Sequence, residues 1–300
     1  MSPERLGALM VLGGTALFGT IGTARVLGPD DAPAPAVAFA RMAVASSLMV
    51  AIAVATASRR RPASVPALLG SPTLWVAGIG QACFQASFLA AVTRVGVATG
   101  TLVAIGATPL LTGLVATVRT RRPTRAWLTS TGLGVLGLVL LVGVGGRADP
   151  VGLLVAFGAA VSYATFILAG GALTRHEHPL GTTLPAVFCI ATVVLAPAAL
   201  VSEWAWIGTG EGAVMLLWLA TVPTVVAYGL FNRGLAWVDA PVAATLGLIE
   251  PLVATGLALL LLGESLAVVQ VVGALLVASA MVLAARVPAP AAVPPAPVTR

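Results

Sequence analysis

Ten apolar runs, each long enough to cross a lipid bilayer, follow one another along this chain with only short connections between them. A transmembrane helix needs roughly 20 mainly apolar residues. The runs are 5–27, 35–57, 73–92, 96–117, 126–145, 151–172, 181–201, 212–232, 240–262 and 267–285. Because lipid offers no hydrogen-bond partners to exposed backbone, each run is predicted to form a helix. The predicted fold class is therefore an all-α integral membrane protein of ten transmembrane helices.

The composition excludes an ordinary soluble protein. The chain is 59% hydrophobic and 9% charged, whereas an average soluble domain is about 25% charged. The net charge of +6 does not indicate nucleic-acid binding, because the basic residues lie in short clusters between the apolar runs. Cys83 and Cys189 both lie inside apolar runs, which favours neither a disulfide nor a metal site. The predicted partners are the bilayer and a small molecule, with no nucleic acid and no cofactor.

The distribution of Arg residues predicts the orientation of the chain. Cytoplasmic connections of membrane proteins carry an excess of basic residues. With the N-terminus inside, the clusters at 59–61 and 119–125 are cytoplasmic, and Arg94 and Arg147 are exceptions on the outer side. Both termini are then cytoplasmic. All 16 basic residues are Arg, which together with the abundant Ala and Gly indicates a bacterial inner-membrane protein from a GC-rich genome.

An internal repeat is also predicted. At an offset of 145, Gly7, Leu9, Gly13 and Thr20 align with Gly152, Leu154, Gly158 and Thr165. At an offset of 142, Pro109 aligns with Pro251. Two halves of five helices each must lie in opposite senses, which is an inverted-topology repeat. We predict one five-helix repeat in residues 1–147, a second, inverted one in 148–286, a central cavity between them, and a disordered Pro/Ala-rich cytoplasmic tail at 287–300.

Three stretches resemble the EamA-type branch of the drug/metabolite transporter superfamily. They are AFARMAVASSLMVA from Ala38, AAVTRVGVATGTLVAIGATPLLTGL from Ala90, and LGLIEPLVATGLALLLLGESLAVVQVVGALLVASA within 240–280. The last is the most specific, with its Glu-Pro pair, a Gly-Glu at the helix end, and a Gln-x-x-Gly that opens the next helix. The resemblance implies ten helices around a central cavity, alternating access, and often export of amino acids, other metabolites or drugs.

Glu250 is the candidate for both substrate contact and proton coupling. A carboxylate deep in the membrane is costly and is a functional hypothesis by default. The adjacent Pro251 lacks a backbone donor and frees a carbonyl one turn back, and such a broken point is tolerated where it lines a cavity. Burial disfavours the charged form of a carboxyl group, which suits a proton carrier. The alternative is a protonated or hydrogen-bonded packing residue at a helix contact.

Two stripes of polar and aromatic residues recur at helical spacing. The third-helix stripe consists of Gln81, Gln85 and Phe88. The eighth-helix stripe consists of Thr224, Tyr228 and Asn232. The stripes correspond within one residue of the repeat offset, so both are predicted to line the midplane cavity and bind substrate. Tyr163 on the sixth helix is a further candidate. The alternative is that these side chains join helices together or simply pack.

Other charged residues are interpreted as structural. Arg41, near the outer end of the second helix, is predicted to snorkel to the interface; pairing with an acidic substrate, Asp30 or Asp31 is the alternative. Arg94 is interpreted in the same way, and Glu264 as a helix-end residue. His176 and His178 are interpreted as part of a solvated loop rather than a metal site. Gly13 and Gly14, and Gly132, Gly134 and Gly137, are predicted to permit close helix approach.

The predicted function is a secondary transporter that exports a small metabolite or drug-like molecule, an amino acid being one candidate. Export by alternating access is predicted, with protons as a candidate coupling ion and bends at Pro109, Pro223 and Pro251. The nearly empty set of intramembrane ionisable residues argues against an enzyme. The alternatives are a membrane-embedded enzyme or a receptor or assembly subunit without transport, which would have an occluded core. The sequence leaves the oligomeric state open.

Overall fold

The structure, a computed structural model, describes residues 2–57, 68–95, 97–120, 125–142, 149–175, 180–261 and 267–284. Every regular element in this part of the chain is a helix. Seven helical segments are long and apolar enough to cross a membrane, and three shorter apolar helices cover Arg125–Leu141, Gly181–Pro197 and Val268–Ala284. This confirms an all-helical fold suited to a membrane. The count of ten spans and the repeat stay predictions.

The helices are numbered in chain order. They are α1 Pro3–Phe18, α2 Thr20–Val26, α3 Ala34–Ala57, α4 Pro72–Val95, α5 Val97–Thr120, α6 Arg125–Val142, α7 Pro150–Arg175, α8 Leu180–Leu200, α9 Gly210–Ala220, α10 Ala227–Gly234, α11 Ala240–Leu246, α12 Ile249–Leu261 and α13 Val268–Ala284. A 3₁₀ turn covers Ala205–Gly208, and a π-helical segment, Thr221–Val226, joins α9 to α10.

Three of the ten predicted runs are interrupted. The first divides into α1 and α2 at Gly19, and the ninth into α11 and α12 at Gly247 and Leu248. Pro251 explains the second interruption, because it has no N–H to donate to the Gly247 carbonyl and its ring would clash there. The Glu250 N–H donates to that carbonyl instead, at 3.0 Å. The predicted broken point before Pro251 is therefore confirmed.

The π-helical segment has a similar cause in the eighth run. Pro223 has no N–H to donate to the Leu219 carbonyl four residues earlier. The Thr224 hydroxyl donates to that carbonyl at 2.6 Å. Single-turn π segments inside α-helices are uncommon and are frequent at functional sites. Here the segment separates α9 from α10, which carries Tyr228 and Asn232.

Glycines let several helices approach closely. A Cβ atom at Gly137 on α6 would lie 2.7 Å from the Gly273 carbonyl oxygen on α13, and one at Gly14 on α1 would lie 2.5 Å from the Ala227 carbonyl oxygen on α10. These two contacts agree with the predicted role of small residues. For Gly132 the prediction is wrong, because a Cβ there would meet nothing within 4 Å.

The helices pack in recurring pairs around one interior. Helix α4 packs along α7 and α8, α1 along α10, α3 along α8, and α6 along α13. The interior holds a large apolar core that includes Phe18, Phe166, Phe188 and Phe231. Large apolar side chains such as Leu154 and Leu260 lie on the outside, at 70% and 82% exposure. An apolar exterior of this kind is compatible with lipid as the solvent.

Candidate functional site

The interruption between α11 and α12 lies directly before Glu250, which is half-buried. Glu250 is the second residue of α12. A Cβ atom at Gly19, where α1 ends, would lie 2.7 Å from the Glu250 carbonyl oxygen. The break in the first run therefore packs directly on the break in the ninth. Only glycine fits this approach, because any larger side chain would collide with the α12 backbone.

The Glu250 side chain lines a narrow internal cavity. Thr108 of α5, Tyr163 of α7 and Phe231 of α10 line the same cavity, whose empty space is about 240 Å³. This space is divided among narrow gaps, and a water molecule alone needs about 10–15 Å³ of freely accessible room. The cavity as it stands has room for about one water molecule and not for a metabolite.

Arg41 is buried, which overturns the predicted snorkelling to the interface. Its exposure is 7%, and its Nε has no hydrogen-bond partner. Among the described residues it forms no ion pair, either with Asp30 or Asp31 or with any other carboxylate. Its guanidinium lies instead within electrostatic range of Tyr228 and Glu250. A buried charge without a direct partner is expensive, so its presence points to a role.

Arg94, interpreted from the sequence like Arg41, has a different environment. It is exposed, and its Nη1 lies 3.4 Å from the Asp149 carboxylate. This pair joins the end of α4 to the start of α7. Exposed ion pairs contribute at most about 1 kcal/mol. Arg94 is therefore an ordinary surface residue, whereas Arg41 belongs to the interior cluster.

Tyr228 is the centre of this cluster. Its hydroxyl accepts a hydrogen bond of 2.9 Å from Gln81 Nε2. Its ring packs against Phe18, Phe166 and Phe188, with centroid distances of 4.6, 5.5 and 4.9 Å. Aromatic packing of this kind holds the ring while the hydroxyl stays available for polar contacts. We use the term charged cluster for Arg41, Gln81, Tyr163, Tyr228 and Glu250.

Tyr163 connects the charged cluster to the cavity. It is 6% exposed, lines the cavity beside Glu250, and lies within electrostatic range of both Tyr228 and Glu250. Its ring stacks on Phe84 at 4.5 Å, and Phe84 in turn stacks on Phe88 at 5.6 Å. Phe88, half-buried, therefore belongs to the aromatic wall that continues from Tyr163 along α4.

The remaining members of the two stripes have different surroundings. Gln81 and Gln85 are buried, and their Oε1 and Nε2 atoms respectively have no hydrogen-bond partner in the described part of the chain. Thr224 is fully buried and bonded to the Leu219 carbonyl. Asn232 Nδ2 donates to the Tyr228 carbonyl at 3.0 Å. The structure thus unites Gln81, Tyr163, Tyr228 and Glu250, and leaves Thr224 and Asn232 bonded to their own helix.

Asn232 lines a second cavity, separate from the one beside Glu250. Gly170, Thr174 and Thr183 lie on the same cavity, whose empty space is about 250 Å³. These residues come from the ends of α7 and α10 and the start of α8. Glu264, His176 and His178, which the sequence singles out, lie outside the described residues.

Arg41 is the cluster residue that the sequence analysis assigned to the membrane interface, with an acidic partner only as the alternative. A signal was present, since an Arg inside an apolar run is itself unusual, but its position near a helix end favoured the interface. About seven residues separate Arg41 from the start of α3, which is roughly 10 Å along the helix. A long side chain at this depth can reach either the membrane interface or the protein interior, and the packing of the other helices determines which.

Comparison with known proteins agrees with this architecture. The uncharacterized transporter YwfM of Bacillus subtilis (strain 168) is 35% identical to this chain over 198 residues, which cover 65% of this chain and 67% of YwfM. The profile of the EamA-like transporter family matches residues 150–286. The chain belongs to the EamA-like transporter family. It is accordingly a multi-pass membrane protein of a transporter family.

Two further proteins are similar to this chain. An uncharacterized transporter of Archaeoglobus fulgidus is 28% identical over 155 residues, covering 51% of this chain and 54% of the relative. A solved crystal structure superposes with a TM-score of 0.75 over 93% of this chain and 96% of its own, at 20% identity. The latter shows that the two share a fold.

Proposed function

We propose that this EamA-like protein is a secondary transporter that exports a small metabolite or drug-like molecule across the bacterial inner membrane. An amino acid is one candidate substrate. The observation that carries the proposal is the charged cluster, in which Arg41, Gln81, Tyr163 and Tyr228 are buried and the half-buried Glu250 lines a narrow cavity together with Tyr163. Such groups are costly in a membrane and do not help a helix that only faces lipid, whereas a carrier needs them to replace the water around its substrate.

Paired helix contacts support the proposed repeat of residues 1–147 and 148–286. If the first and sixth runs are equivalent, and the third and eighth, then the contact of α4 with α7 has a counterpart in the contact of α1 with α10. The contacts α3–α8 and α6–α13 each join two runs at equivalent positions. Matched pairs of this kind are expected for two halves related by a pseudo-two-fold axis in the membrane plane.

The narrow cavity is also what a receptor or assembly subunit with an occluded core would have, so a carrier with this structure has to open by alternating access. Because the space beside Glu250 is too narrow for a metabolite, helices must separate for a substrate to reach the charged cluster. The breaks at Gly19 and at Gly247, together with the π-helical segment, are places where a helix can bend. Rocking of one half against the other would open the cluster first to one side and then to the other. The N- and C-termini are proposed to be cytoplasmic.

Glu250 is proposed to couple transport to protons. A carboxylate can hold a proton or a basic group of the substrate, but not both at once. If a proton from outside displaces the basic group of the substrate from Glu250, the entry of protons into the cell drives the export of the substrate. The position of Glu250 on the cavity wall, at a break in its helix, supports this role.

The experiment is a substrate screen in proteoliposomes, with and without an imposed pH gradient, on the wild type, Glu250→Gln and Glu211→Gln. Glu211, exposed at the start of α9, is the matched control. We expect Glu250→Gln to insert normally and to lose at least about tenfold of the gradient-driven flux, and Glu211→Gln to keep it. Unchanged gradient-driven flux in Glu250→Gln removes Glu250 from the mechanism, and a wild type that moves no solute rejects the carrier.

A further inference from the structure

A second apolar cluster, separate from the large core, lies at one end of the bundle. We use the term outer cluster for six of its buried residues, Ala36, Val37, Ala40, Trp206, Met215 and Leu219. Three of them come from the first turns of α3, two from α9, and Trp206 from the 3₁₀ turn before α9. The proposed orientation places this end outside the cell. Because Arg41 directly follows Ala40, the outer cluster lies between Arg41 and the outer end of α3.

Trp206 is the largest side chain of the outer cluster, and it comes from a connection between two membrane-spanning runs. It is 2% exposed, although a tryptophan near the end of a span usually lies at the membrane interface. Thr209 holds the 3₁₀ turn that carries it, because its hydroxyl donates to the Trp206 carbonyl at 2.8 Å and accepts from the Gly212 N–H at 3.0 Å. The indole ring therefore reaches from the connection into the bundle.

The indole N–H of Trp206 is buried and has no hydrogen-bond partner among the described residues. At the membrane interface the same group bonds water or lipid headgroups while the ring stays in apolar surroundings. A buried donor without a partner loses its bond to water and gains nothing in return, which is why such groups are rare. The buried position of Trp206 is thus less stable than its apolar packing alone would make it, and a position at the interface competes with it.

Helix α2 and the connection that follows it lie against the outer cluster, and together we call them the strap. Arg25 on α2 donates through Nη2 to the Ala32 carbonyl at 3.2 Å, and its Nη1 lies 3.7 Å from Met215 Sδ on α9. A Cβ atom at Gly28 would collide with the same sulfur, so any side chain there would require Met215 to move. The strap begins at the break at Gly19, where the first run can bend.

We propose that Trp206 and the strap form the outer gate of the carrier and that this gate is closed in the present structure. The inference rests on the proposed carrier function and names the part of the chain that controls access from outside to Arg41. When the gate opens, Trp206 leaves the outer cluster for the interface, where its N–H bonds water. The contact of Arg25 with Met215 breaks at the same time, and the strap bends away from α9 at Gly19.

Two substitutions of Trp206 distinguish a gate from a static packing residue. Trp206→Ala removes the ring, so nothing of comparable size closes the space beside Arg41. Trp206→Phe keeps an aromatic ring and removes the unpaired N–H, so the closed position becomes more stable and the gate opens less often. A residue that only packs gives no access to Arg41 in either variant.

The test measures how fast a membrane-impermeant thiol reagent, 2-(trimethylammonium)ethyl methanethiosulfonate, modifies a cysteine behind the gate when it is added to intact cells. Arg41→Cys is the first reporter. Val44→Cys is the second reporter, which packs against the outer cluster one turn further in than Ala40 and keeps the charge of Arg41. Both are made in a chain that carries Cys83→Ser and Cys189→Ser, the replacements of its two cysteines.

Each reporter is combined with Trp206→Ala, Trp206→Phe or Arg25→Gln. Trp75→Ala is the matched control, because Trp75 is 46% exposed and lies at the start of α4, where the proposed orientation places the cytoplasm. Thermal unfolding in detergent verifies that each variant is folded. Inverted membrane vesicles repeat the measurement from the other side of the membrane.

We expect Trp206→Ala to raise the modification rate in intact cells at least about tenfold at one or both reporters, and Arg25→Gln to raise it by a smaller factor. Trp206→Phe should be modified more slowly than the parent with Trp206, and Trp75→Ala at the same rate as that parent. Rates unchanged by Trp206→Ala at both reporters overturn the inference, as do equal rates in Trp206→Phe and Trp206→Ala. A rise confined to inverted vesicles overturns it too. The measurement needs no substrate, so the carrier function itself is decided by the substrate screen.

Discussion

The third-helix stripe and the eighth-helix stripe have polar side chains at the same helical spacing, but their polar atoms have different partners. On α4, Gln81 Oε1 and Gln85 Nε2 have no partner among the described residues. In the eighth run, Thr224 donates to the Leu219 carbonyl and Asn232 to the Tyr228 carbonyl. The first stripe thus has polar atoms free for a ligand, whereas much of the second is bonded to its own helix.

This difference shows what a polar stripe can indicate. A polar side chain inside a membrane helix serves either a ligand or the helix backbone, and the sequence pattern is the same in both cases. For Thr224 the neighbouring proline indicates the second case, service to the helix backbone. Pro223 leaves the Leu219 carbonyl without its usual N–H donor, and the Thr224 hydroxyl replaces that donor. When a Thr or Ser directly follows an intramembrane proline, its hydroxyl is therefore expected to bond the carbonyl that the proline leaves free, and substrate binding is the second interpretation.

The largest effect is expected for Gln85→Leu. If Gln85 Nε2 is free for the substrate, its removal should lower transport at least about tenfold. Stability should stay equal or rise, because a buried unsatisfied amide costs about 1–3 kcal/mol. Transport in proteoliposomes and thermal unfolding in detergent give the two readouts.

Gln270→Leu is the matched control for this substitution. Gln270 on α13 is already bonded, accepting from the Ala267 N–H at 2.9 Å and donating to the Leu141 carbonyl at 3.2 Å. It should lose stability and keep its transport rate per folded molecule. Equal transport in wild type and Gln85→Leu would show that the third-helix stripe is also structural, and the contrast between the stripes would disappear.

For Thr224→Val we expect a smaller effect, and one on stability rather than on transport. The substitution keeps the shape of the side chain and removes the donor to the Leu219 carbonyl, so the free energy of unfolding should fall by about 1 kcal/mol. The transport rate per folded molecule should not change. Unfolding in detergent and flux measured on equal amounts of inserted protein test this.

Thr221→Val is the control for Thr224→Val. It distinguishes the loss of the hydrogen bond to the carbonyl that Pro223 leaves free from the loss of a threonine hydroxyl in general. Thr221 also donates through its hydroxyl, to the Leu217 carbonyl at 2.6 Å, but its own backbone N–H already bonds that carbonyl. The Thr221 variant should therefore be nearly neutral. Equal destabilisation by both variants would contradict the role assigned to Pro223.

The sequence predicted the helical fold well because the length of an apolar run is a direct consequence of bilayer thickness. Within the described residues the predicted runs lie on helices, three of them in more than one piece, and the ends that the structure describes agree within a few residues. The break before Pro251 was also predictable, since a missing N–H acts locally. The break at Gly19 was not, because no proline lies there and the close approach of the α12 backbone comes from a distant part of the chain.

The candidate site was predictable by residue type and only partly by arrangement. Glu250, Gln81 and Tyr228 are polar residues in apolar runs, and lipid exposure would be costly for each of them. Arg41 was assigned to the interface because a long side chain reaches several ångströms, and the sequence does not encode its direction. Which polar atoms remain unpaired depends on contacts between runs far apart in the chain, such as that of Gln81 with Tyr228.

The smallest effect in this comparison is expected for Asn232→Ala. Its Nδ2 bonds the Tyr228 carbonyl, and its side chain lines the second cavity, so removal should lower the free energy of unfolding by about 0.5–1 kcal/mol. Arg233→Ala, at an exposed position one residue away, should leave stability unchanged. Transport should change little in either variant, because the second cavity is separate from the one beside Glu250. If Asn232→Ala instead abolished transport at unchanged stability, the second cavity would belong to the substrate path, and the eighth-helix stripe would serve the ligand at one position and the backbone at another.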